Sequence, residues 1–232
     1  MNNTVEQLLE LRLVLLRCFA SVALIFIGLL LYAKQLYHLL AQPLLKFLPE
    51  NSQMIAIDVA TPFLVPMKLA LTVAIFIAIP FIFYQLWRFI APGLYRHEKK
   101  FFVPVFFSSL TLFYGGILFA YFIVLPLTFS FFIYSAPEGV QVMTDIAAYL
   151  SFVLNLFFAF GLAFQIPILI FVLAKLHVIN PEKFSAMRPY VIIGAFVIGM
   201  LLTPPDVISQ TLLAVPLWLL FELGIFLAKK ST

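Results

Sequence analysis

Two glutamates near the ends of apolar runs could bind a cationic group. The pattern Thr4-x-x-Gln7 predicts the start of a helix, and on that helix Glu10 has no basic residue three or four positions away. A carboxylate without a local partner is available to a guanidinium, which it binds in a bidentate geometry that lysine cannot copy. The alternative interpretation of Glu10 is a solvated charge at an interface.

The second glutamate, Glu98, lies in a loop that is rich in basic and aromatic residues. Pro92-Gly93 predicts a turn in this loop, and the aromatic residues at positions 87, 89 and 95 suit a membrane interface. Glu98 therefore either binds a ligand or balances the charge of its basic neighbours. These neighbours are Arg96, Lys99 and Lys100.

Polar side chains also interrupt the apolar runs, and such residues are functional candidates because they need protein or water around them. Gln165 precedes Pro167, whose ring displaces a hydrogen bond to the Ala163 carbonyl, and the glutamine amide could satisfy that carbonyl. Glu222 needs compensation, since a charge at the centre of a span costs roughly 2.5–3.5 kcal/mol, and Lys229 follows it by two turns. The full set is Gln85, Asn155, Gln165, Gln210 and Glu222.

The residues with reactive side chains do not form the active site of an enzyme. The three histidines lie near span ends without HxxxH spacing, and the intramembrane acids do not form a pair. Cys18 is the one cysteine, which excludes an internal disulfide and a cysteine metal site. We therefore expect no enzymatic activity, no metal and no cofactor. The net charge of +4 does not indicate nucleic-acid binding, because it reflects the membrane topology described below.

The elements that carry these residues are predicted to be membrane-spanning helices. Apolar residues make up 64% of the 232-residue chain and charged residues 10%, against roughly 25% charged in a soluble domain. Only a bilayer can solvate that much apolar surface. The first run follows Glu6 and Glu10 rather than a basic segment, so we expect it to be retained. The sequence predicts an all-α, polytopic single domain with six spans at about 13–33, 67–87, 101–125, 147–173, 190–203 and 207–228.

The last two spans are predicted to be short. Arg188 and Asp206 enclose 17 uncharged residues. Prolines trim the usable helix to about 14 residues, or roughly 21 Å, which is less than the hydrocarbon core. Such spans either thin the bilayer locally or face a protein partner. The external stretch 33–66 is predicted to form short amphipathic helices at the interface.

The distribution of basic residues predicts that both termini are cytoplasmic. Of the 14 Lys and Arg residues, three lie on one side of the predicted topology, namely Lys34, Lys46 and Lys68. The other eleven share the opposite side, which the positive-inside rule identifies as cytoplasmic. They are Arg12, Arg17, Arg88, Arg96, Lys99, Lys100, Lys175, Lys183, Arg188, Lys229 and Lys230.

At these same stretches the chain resembles the TatC family, the multispanning receptor subunits of the twin-arginine protein translocase, over nearly its whole length. The matching stretches are 9–12 (Leu-Glu-Leu-Arg), 89–98 (Phe-Ile-Ala-Pro-Gly-Leu-Tyr-Arg-His-Glu), 160–167, and a block from 188 through 199–206 (Gly-Met-Leu-Leu-Thr-Pro-Pro-Asp) to 222.

The resemblance implies a receptor in the bacterial inner membrane for folded cargo proteins whose signal peptides carry paired arginines. In the family, the positions that match Glu10 and Glu98 receive those arginines. The same signal-peptide site would include Arg12, Phe89, Pro92, Leu94 and Tyr95.

The resemblance also implies partners and an energy source. The two short spans resemble a docking surface for the single-span proteins TatA and TatB, in a complex that holds several copies of the chain. Transport in the family uses the proton-motive force and needs no nucleotide. The positions concerned are Met200, Thr203 and Gln210, with Gln165 and Glu222 as further intramembrane polar positions and Pro43 and Asp206 as other functional positions.

The chain departs from the family pattern at three positions. The family often has glutamate where this chain has Gln165, which puts in doubt any role there that needs an ionisable group. Relatives often carry a histidine and a second arginine where this chain has Gln7 and Val14.

Two other classes of protein are alternatives to a receptor. A secondary transporter for a small solute would show inverted repeats and broken helices meeting at mid-membrane, and neither is evident in the sequence. A passive scaffold for other membrane proteins is not distinguished from a receptor by physical chemistry alone. Preferential binding of a paired-arginine peptide over its paired-lysine twin would separate these classes.

Overall fold

The computed structural model describes residues 2–47, 54–90, 102–134, 144–176, 178, 181–203 and 207–231, and nearly all of them are helical. The helices are α1 (Asn2–Leu30), α2 (Ala33–Phe47), α3 (Thr61–Ile90), α4 (Phe102–Phe119), α5 (Leu125–Tyr134), α6 (Ile146–Ala163), α7 (Ile166–Lys175), α8 (Pro181–Ala186), α9 (Arg188–Leu202) and α10 (Val207–Ser231), with a π-helical segment (Ala120–Val124) joining α4 to α5.

Within the described residues, five helical stretches are long and apolar enough to cross a membrane. They are Leu8–Leu30, Thr61–Phe89, Val103–Phe132, Ile146–Lys175 and Val207–Lys230. A sixth apolar helix, Arg188–Leu202, has 15 residues and is shorter. The predicted all-α polytopic fold class is confirmed, and the sixth crossing stays a prediction.

The first helix is longer than the predicted span because the N-terminal amphipathic segment continues into it without a break. Helix α1 begins at Asn2 and ends at Leu30, where a turn at residues 31–32 leads into α2. Glu10 therefore lies on the same rigid helix as the apolar run. Helix α2 lies in the stretch 33–66, where the sequence predicts short amphipathic helices.

Helix continues past Pro126, where the sequence predicts the end of the third span. The preceding segment adopts π-helical geometry, in which Leu125 N–H donates to the Ala120 carbonyl five residues back. A proline removes one helical donor and crowds the carbonyl four residues before it, and the wider π turn accommodates both effects. The helix then runs on as α5 to Tyr134.

Of the last two helices, only α9 is short. Helix α10 extends over 25 residues with Pro216 inside it. Glu222 lies within this continuous helix, and its carboxylate pairs with Arg188. The fourth stretch is divided by a turn at residues 164–165, immediately before Pro167, into α6 and α7.

The chain divides into two compact units, and the prediction of a single domain is not tested by this division. The first unit contains Met1–Gln42 and Ala56–Leu110. Within it α1 packs against α3, whose buried side chains include Ala70, Ala74 and Ala78. These alanines recur every four residues on one helix face, and small side chains permit the close approach of a neighbouring helix.

The second unit contains Pro43–Ile55 and Thr111–Thr232, and α10 lies at its centre against α7 and α9. Gly224 makes the α7–α10 contact possible, because a Cβ there would lie 2.8 Å from Ile170 Cδ1 and 3.0 Å from Pro167 Cα. The buried cluster around this contact comprises Ile170, Ala174, Phe184, Phe221, Ile225 and Ala228. A backbone bridge joins Ile55 to the start of α6, where the Asp145 carboxylate accepts a hydrogen bond from Ala148 N–H.

Candidate functional site

A groove of about 280 Å³ lies between the N-terminal half of α1 and the C-terminal end of α3. Helical periodicity builds it, since positions 10, 13, 14 and 17 share one face of α1 and positions 85, 88 and 89 share one face of α3. The lining residues are Glu10, Leu13, Val14, Arg17, Gln85, Arg88 and Phe89. The groove therefore combines a carboxylate, an amide, an aromatic ring and two guanidinium groups.

Glu10 is exposed in this groove and forms no ion pair or hydrogen bond with any residue that the structure describes. Arg17 and Arg88 line the same groove, but neither is paired with it. The carboxylate is thus accessible to a cation from outside the chain.

The predicted site residues divide into those in the groove and those away from it. Phe89 is half-buried beside Glu10 in the lining of the groove. Arg12 is exposed and lies outside the lining, because it follows Glu10 by two residues and so projects from another side of α1. Pro92, Leu94, Tyr95, Glu98 and Asp206 lie outside the described residues.

Gln85 was not among the residues that the sequence assigns to this site. Its side chain is only 4% exposed, and its Oε1 atom accepts no hydrogen bond from any described residue. Two signals in the sequence point to it: a polar residue inside an apolar run, and a spacing of four from Phe89. Neither signal shows that Gln85 shares a groove with Glu10, because that requires the packing of α3 against α1.

A second set of predicted residues lies where α9 meets α10. Gln210 Nε2 donates to the Phe196 carbonyl at 2.9 Å, and Thr203 Oγ1 donates to the Gly199 carbonyl at 2.9 Å. Gly199 lies against Gln210, since a Cβ at Gly199 would be 3.1 Å from Gln210 Cγ. Met200 is 54% exposed. The Gln210 and Thr203 side chains thus donate to carbonyls in the C-terminal half of α9, while the exposed Met200 side chain can contact another molecule.

The same two helices carry an apolar groove of about 140 Å³. Trp218 contributes its ring to this groove, and its Nε1 atom donates no hydrogen bond to a described residue. The other lining residues are Ile192, Ala195, Phe196, Ala214 and Val215.

The Arg188 guanidinium forms an ion pair with the Glu222 carboxylate and so offsets the cost of its charge. Its Nε atom lies 2.6 Å from Glu222 Oε1 and its second terminal nitrogen 2.8 Å from Oε2, a bidentate pair. The partner is therefore the first residue of α9 rather than Lys229 on the same helix. This pair connects the start of α9 to the second half of α10.

The two remaining predicted residues lie in neither groove. Gln165 is half-buried in the turn before α7, where its backbone N–H donates to the Leu162 carbonyl and its carbonyl accepts from Leu169 N–H. Its side chain makes no hydrogen bond that caps α7. Pro43 lies in α2, and its side chain is outside the described part of the structure.

Comparison with known proteins gives one consistent result. A family model described as Sec-independent protein translocase protein (TatC) matches residues 6–216. The TatC protein of Escherichia coli K12 is 53% identical over 225 residues, which cover 97% of this chain and 87% of that protein. The TatC protein of Azotobacter chroococcum is 54% identical over 222 residues, covering 96% and 87%.

A solved structure gives the same result at the level of the fold. The crystal structure of a twin-arginine translocase receptor, TatC, superposes with a TM-score of 0.87 at 41% identity. The superposition covers 97% of this chain and 99% of that one.

Proposed function

The chain belongs to the TatC family of Sec-independent protein translocase proteins, and on this premise we propose that it is the receptor for signal peptides with paired arginines. As a component of a protein translocase it is a transport protein rather than an enzyme. The observation that carries the proposal is the exposed carboxylate of Glu10 in a groove between α1 and α3, where no described residue pairs with it.

A groove is what physical chemistry requires of such a receptor. An ion pair between fully exposed groups contributes only about 0.2–1 kcal/mol, too little to select one peptide among many. A charge-assisted hydrogen bond in a partly desolvated site contributes roughly 1.5–3 kcal/mol. The apolar residues Leu13 and Val14 in the lining provide partial desolvation, and the apolar part of a signal peptide would pack along the helices. Glu98, in the loop after α3, would receive the second arginine.

The proposed receptor crosses the inner membrane of a bacterium six times, with both termini and the Glu10 groove in the cytoplasm. The excess of basic residues on the side of the chain that holds Arg17 and Arg88 supports this orientation. Helix α9 is the fifth of these crossings along the chain, and at 15 residues it spans roughly 22 Å.

The surface of α9 and α10 is the proposed docking site for single-span partners similar to TatA and TatB. The apolar groove that contains Trp218 and the exposed side chain of Met200 support this role. In this proposal several copies of the chain assemble with these partners, and the proton-motive force drives export of the folded cargo.

Peptide binding by the purified protein in lipid nanodiscs tests the proposed function. A fluorescent signal peptide with paired arginines should bind at least about tenfold more tightly than its paired-lysine twin, the ratio expected from one lost bidentate hydrogen bond. Equal affinity for the two peptides would reject the receptor assignment and favour the passive scaffold.

A further inference from the structure

The groove next to Glu10 contains a hydrogen-bond acceptor that has no donor among the residues the structure describes. Gln85 is 4% exposed, lines the groove, and has an Oε1 atom that accepts no hydrogen bond from the described residues. A buried carbonyl oxygen without a donor destabilises a folded protein, so such atoms are rare and call for an explanation. A ligand with its own N–H groups would supply the missing donor, and a cationic ligand of this kind would also bind the neighbouring Glu10 carboxylate.

We propose that Gln85 is a specificity-determining residue, whose amide oxygen accepts a hydrogen bond from an arginine of the signal peptide while Glu10 binds the same guanidinium. This inference rests on the proposed receptor function and adds a residue to it.

The donor inventory of the two basic side chains explains the discrimination. A guanidinium has five N–H donors in a planar fork, and a bidentate contact with the Glu10 carboxylate uses two of them. The remaining donors point away from the carboxylate, and in a partly desolvated groove each needs an acceptor such as Gln85 Oε1. A lysine ammonium carries its three donors on one atom, so it cannot form the planar bidentate contact with Glu10 and reaches Gln85 as well only if both acceptors lie within hydrogen-bond distance of that one nitrogen.

Phe89 adds a second feature that favours arginine over lysine. Its half-buried ring lines the same groove, and a guanidinium stacks on an aromatic ring more readily than the strongly hydrated ammonium group. The lining of the groove thus includes a carboxylate, an amide and an aromatic ring, three kinds of group that bind a guanidinium.

The two arginines that line the groove do not fill these roles. Arg17 and Arg88 are exposed, line the groove, and form no ion pair with Glu10 and no hydrogen bond with Gln85 among the described residues. Neither arginine therefore occupies the exposed Glu10 carboxylate or the buried Gln85 Oε1 atom.

The variant Gln85→Met tests the inference, because methionine has nearly the length of glutamine but lacks the amide oxygen. In nanodiscs, affinity for the paired-arginine peptide should fall about tenfold, as expected for one lost hydrogen bond to a charged group, and affinity for the paired-lysine twin should change less than about twofold. Thermal stability should stay equal or rise, since a buried acceptor without a donor is removed. Gln85→Leu should behave in the same way.

The control variant is Thr72→Val, which removes another buried polar group from α3. Thr72 is 5% exposed, its hydroxyl donates to the Lys68 carbonyl, and it lies outside the groove. The ratio between arginine-peptide and lysine-peptide affinities should keep its wild-type value in this variant.

Two outcomes overturn the inference, and they differ from failure of the proposed function. If wild-type protein prefers paired arginines and Gln85→Met keeps the full preference, the receptor stands and the role of Gln85 is wrong. Equal loss of affinity for both peptides would likewise assign Gln85 a purely structural role. If wild-type protein shows no preference, the receptor function itself fails.

Discussion

At the scale of single residues, Glu10 combines exposure with the absence of an ion-pair partner among the described residues. Sequence spacing predicts only that no partner lies on its own helix. Packing against α3 places Arg17 and Arg88 in the same groove, yet neither pairs with the carboxylate. The carboxylate is thus exposed and has no ion-pair partner among the described residues, which leaves it accessible to a guanidinium from a peptide.

Replacing this carboxylate should weaken signal-peptide binding without unfolding the protein. We expect Glu10→Ala to reduce photocrosslinking of a paired-arginine signal peptide about tenfold, because one charge-assisted bidentate contact is lost. Glu98→Ala should have a similar effect. The control is Glu182→Ala, which removes an exposed acid from α8 and should leave crosslinking unchanged. Unchanged crosslinking in both Glu10→Ala and Glu98→Ala would reject the proposed roles.

At the scale of elements, the contact of α7 with α10 depends on a position without a side chain. Gly224 faces the backbone of Pro167 and the side chain of Ile170 at distances that leave no room for a methyl group. Helix propensity alone favours alanine over glycine, so the cost of a substitution here comes from packing between the helices.

Gly224→Ala should therefore destabilise the protein by about 1–3 kcal/mol, the usual cost of overpacking a close contact. Thermal unfolding in detergent, followed by circular dichroism, measures the effect. Gly194→Ala is the matched control, since a Cβ at Gly194 would meet nothing within 4 Å. That variant should be neutral or more stable by up to about 1 kcal/mol. A Gly224→Ala protein as stable as wild type would show that α7 and α10 separate without cost.

The contact of α9 with α10 depends on a hydrogen bond between the helices. Gln210 donates a hydrogen bond to the Phe196 carbonyl. The bidentate pair of Arg188 with Glu222 is a second contact between these helices. Both contacts link residues far apart in the chain. The sequence identifies each polar residue as a candidate but gives no indication of its partner.

Replacing the glutamine should disturb the proposed docking surface. We expect Gln210→Leu to lower co-purification of a TatA-like or TatB-like single-span partner about fivefold, the effect of losing roughly one hydrogen bond. Thr211→Val is the control, because its hydroxyl donates within α10 to the Val207 carbonyl. Wild-type yield of the partner with Gln210→Leu would count against a role for this surface.

At the scale of the whole molecule, the orientation in the membrane follows from charge rather than from packing. Cytoplasmic loops of membrane proteins carry an excess of Lys and Arg, and eleven of the 14 basic residues lie on one side of the predicted topology. The proposed function depends on this orientation, since the Glu10 groove must face the cytoplasm, where cargo is folded.

Cysteine accessibility tests this topology. In a Cys18→Ser background, Lys34→Cys should react with a membrane-impermeant maleimide in spheroplasts, because it follows the first span on the external side. Ser231→Cys should react only after the membrane is disrupted. Labelling of Ser231→Cys in intact spheroplasts would place the C-terminus outside and reverse the orientation.

The amino-acid sequence by itself determined the class of protein and most of its helices. Apolar runs of spanning length require helices, because every backbone polar group in a bilayer must be satisfied internally. Local effects changed the predicted helix bounds at two places. A π-helical segment allows the third stretch to continue past Pro126, and a turn before Pro167 divides the fourth stretch into two helices.

The tertiary structure decided which polar side chains meet. Gln85 and Glu10 are 75 positions apart, and only the packing of α1 on α3 puts them in one groove. In the same way, the packing of α9 on α10 makes Arg188, rather than Lys229, the partner of Glu222. Helical periodicity specifies the face on which a residue lies, whereas the neighbour that covers that face depends on how distant helices pack. Local sequence patterns therefore do not predict which distant side chains meet.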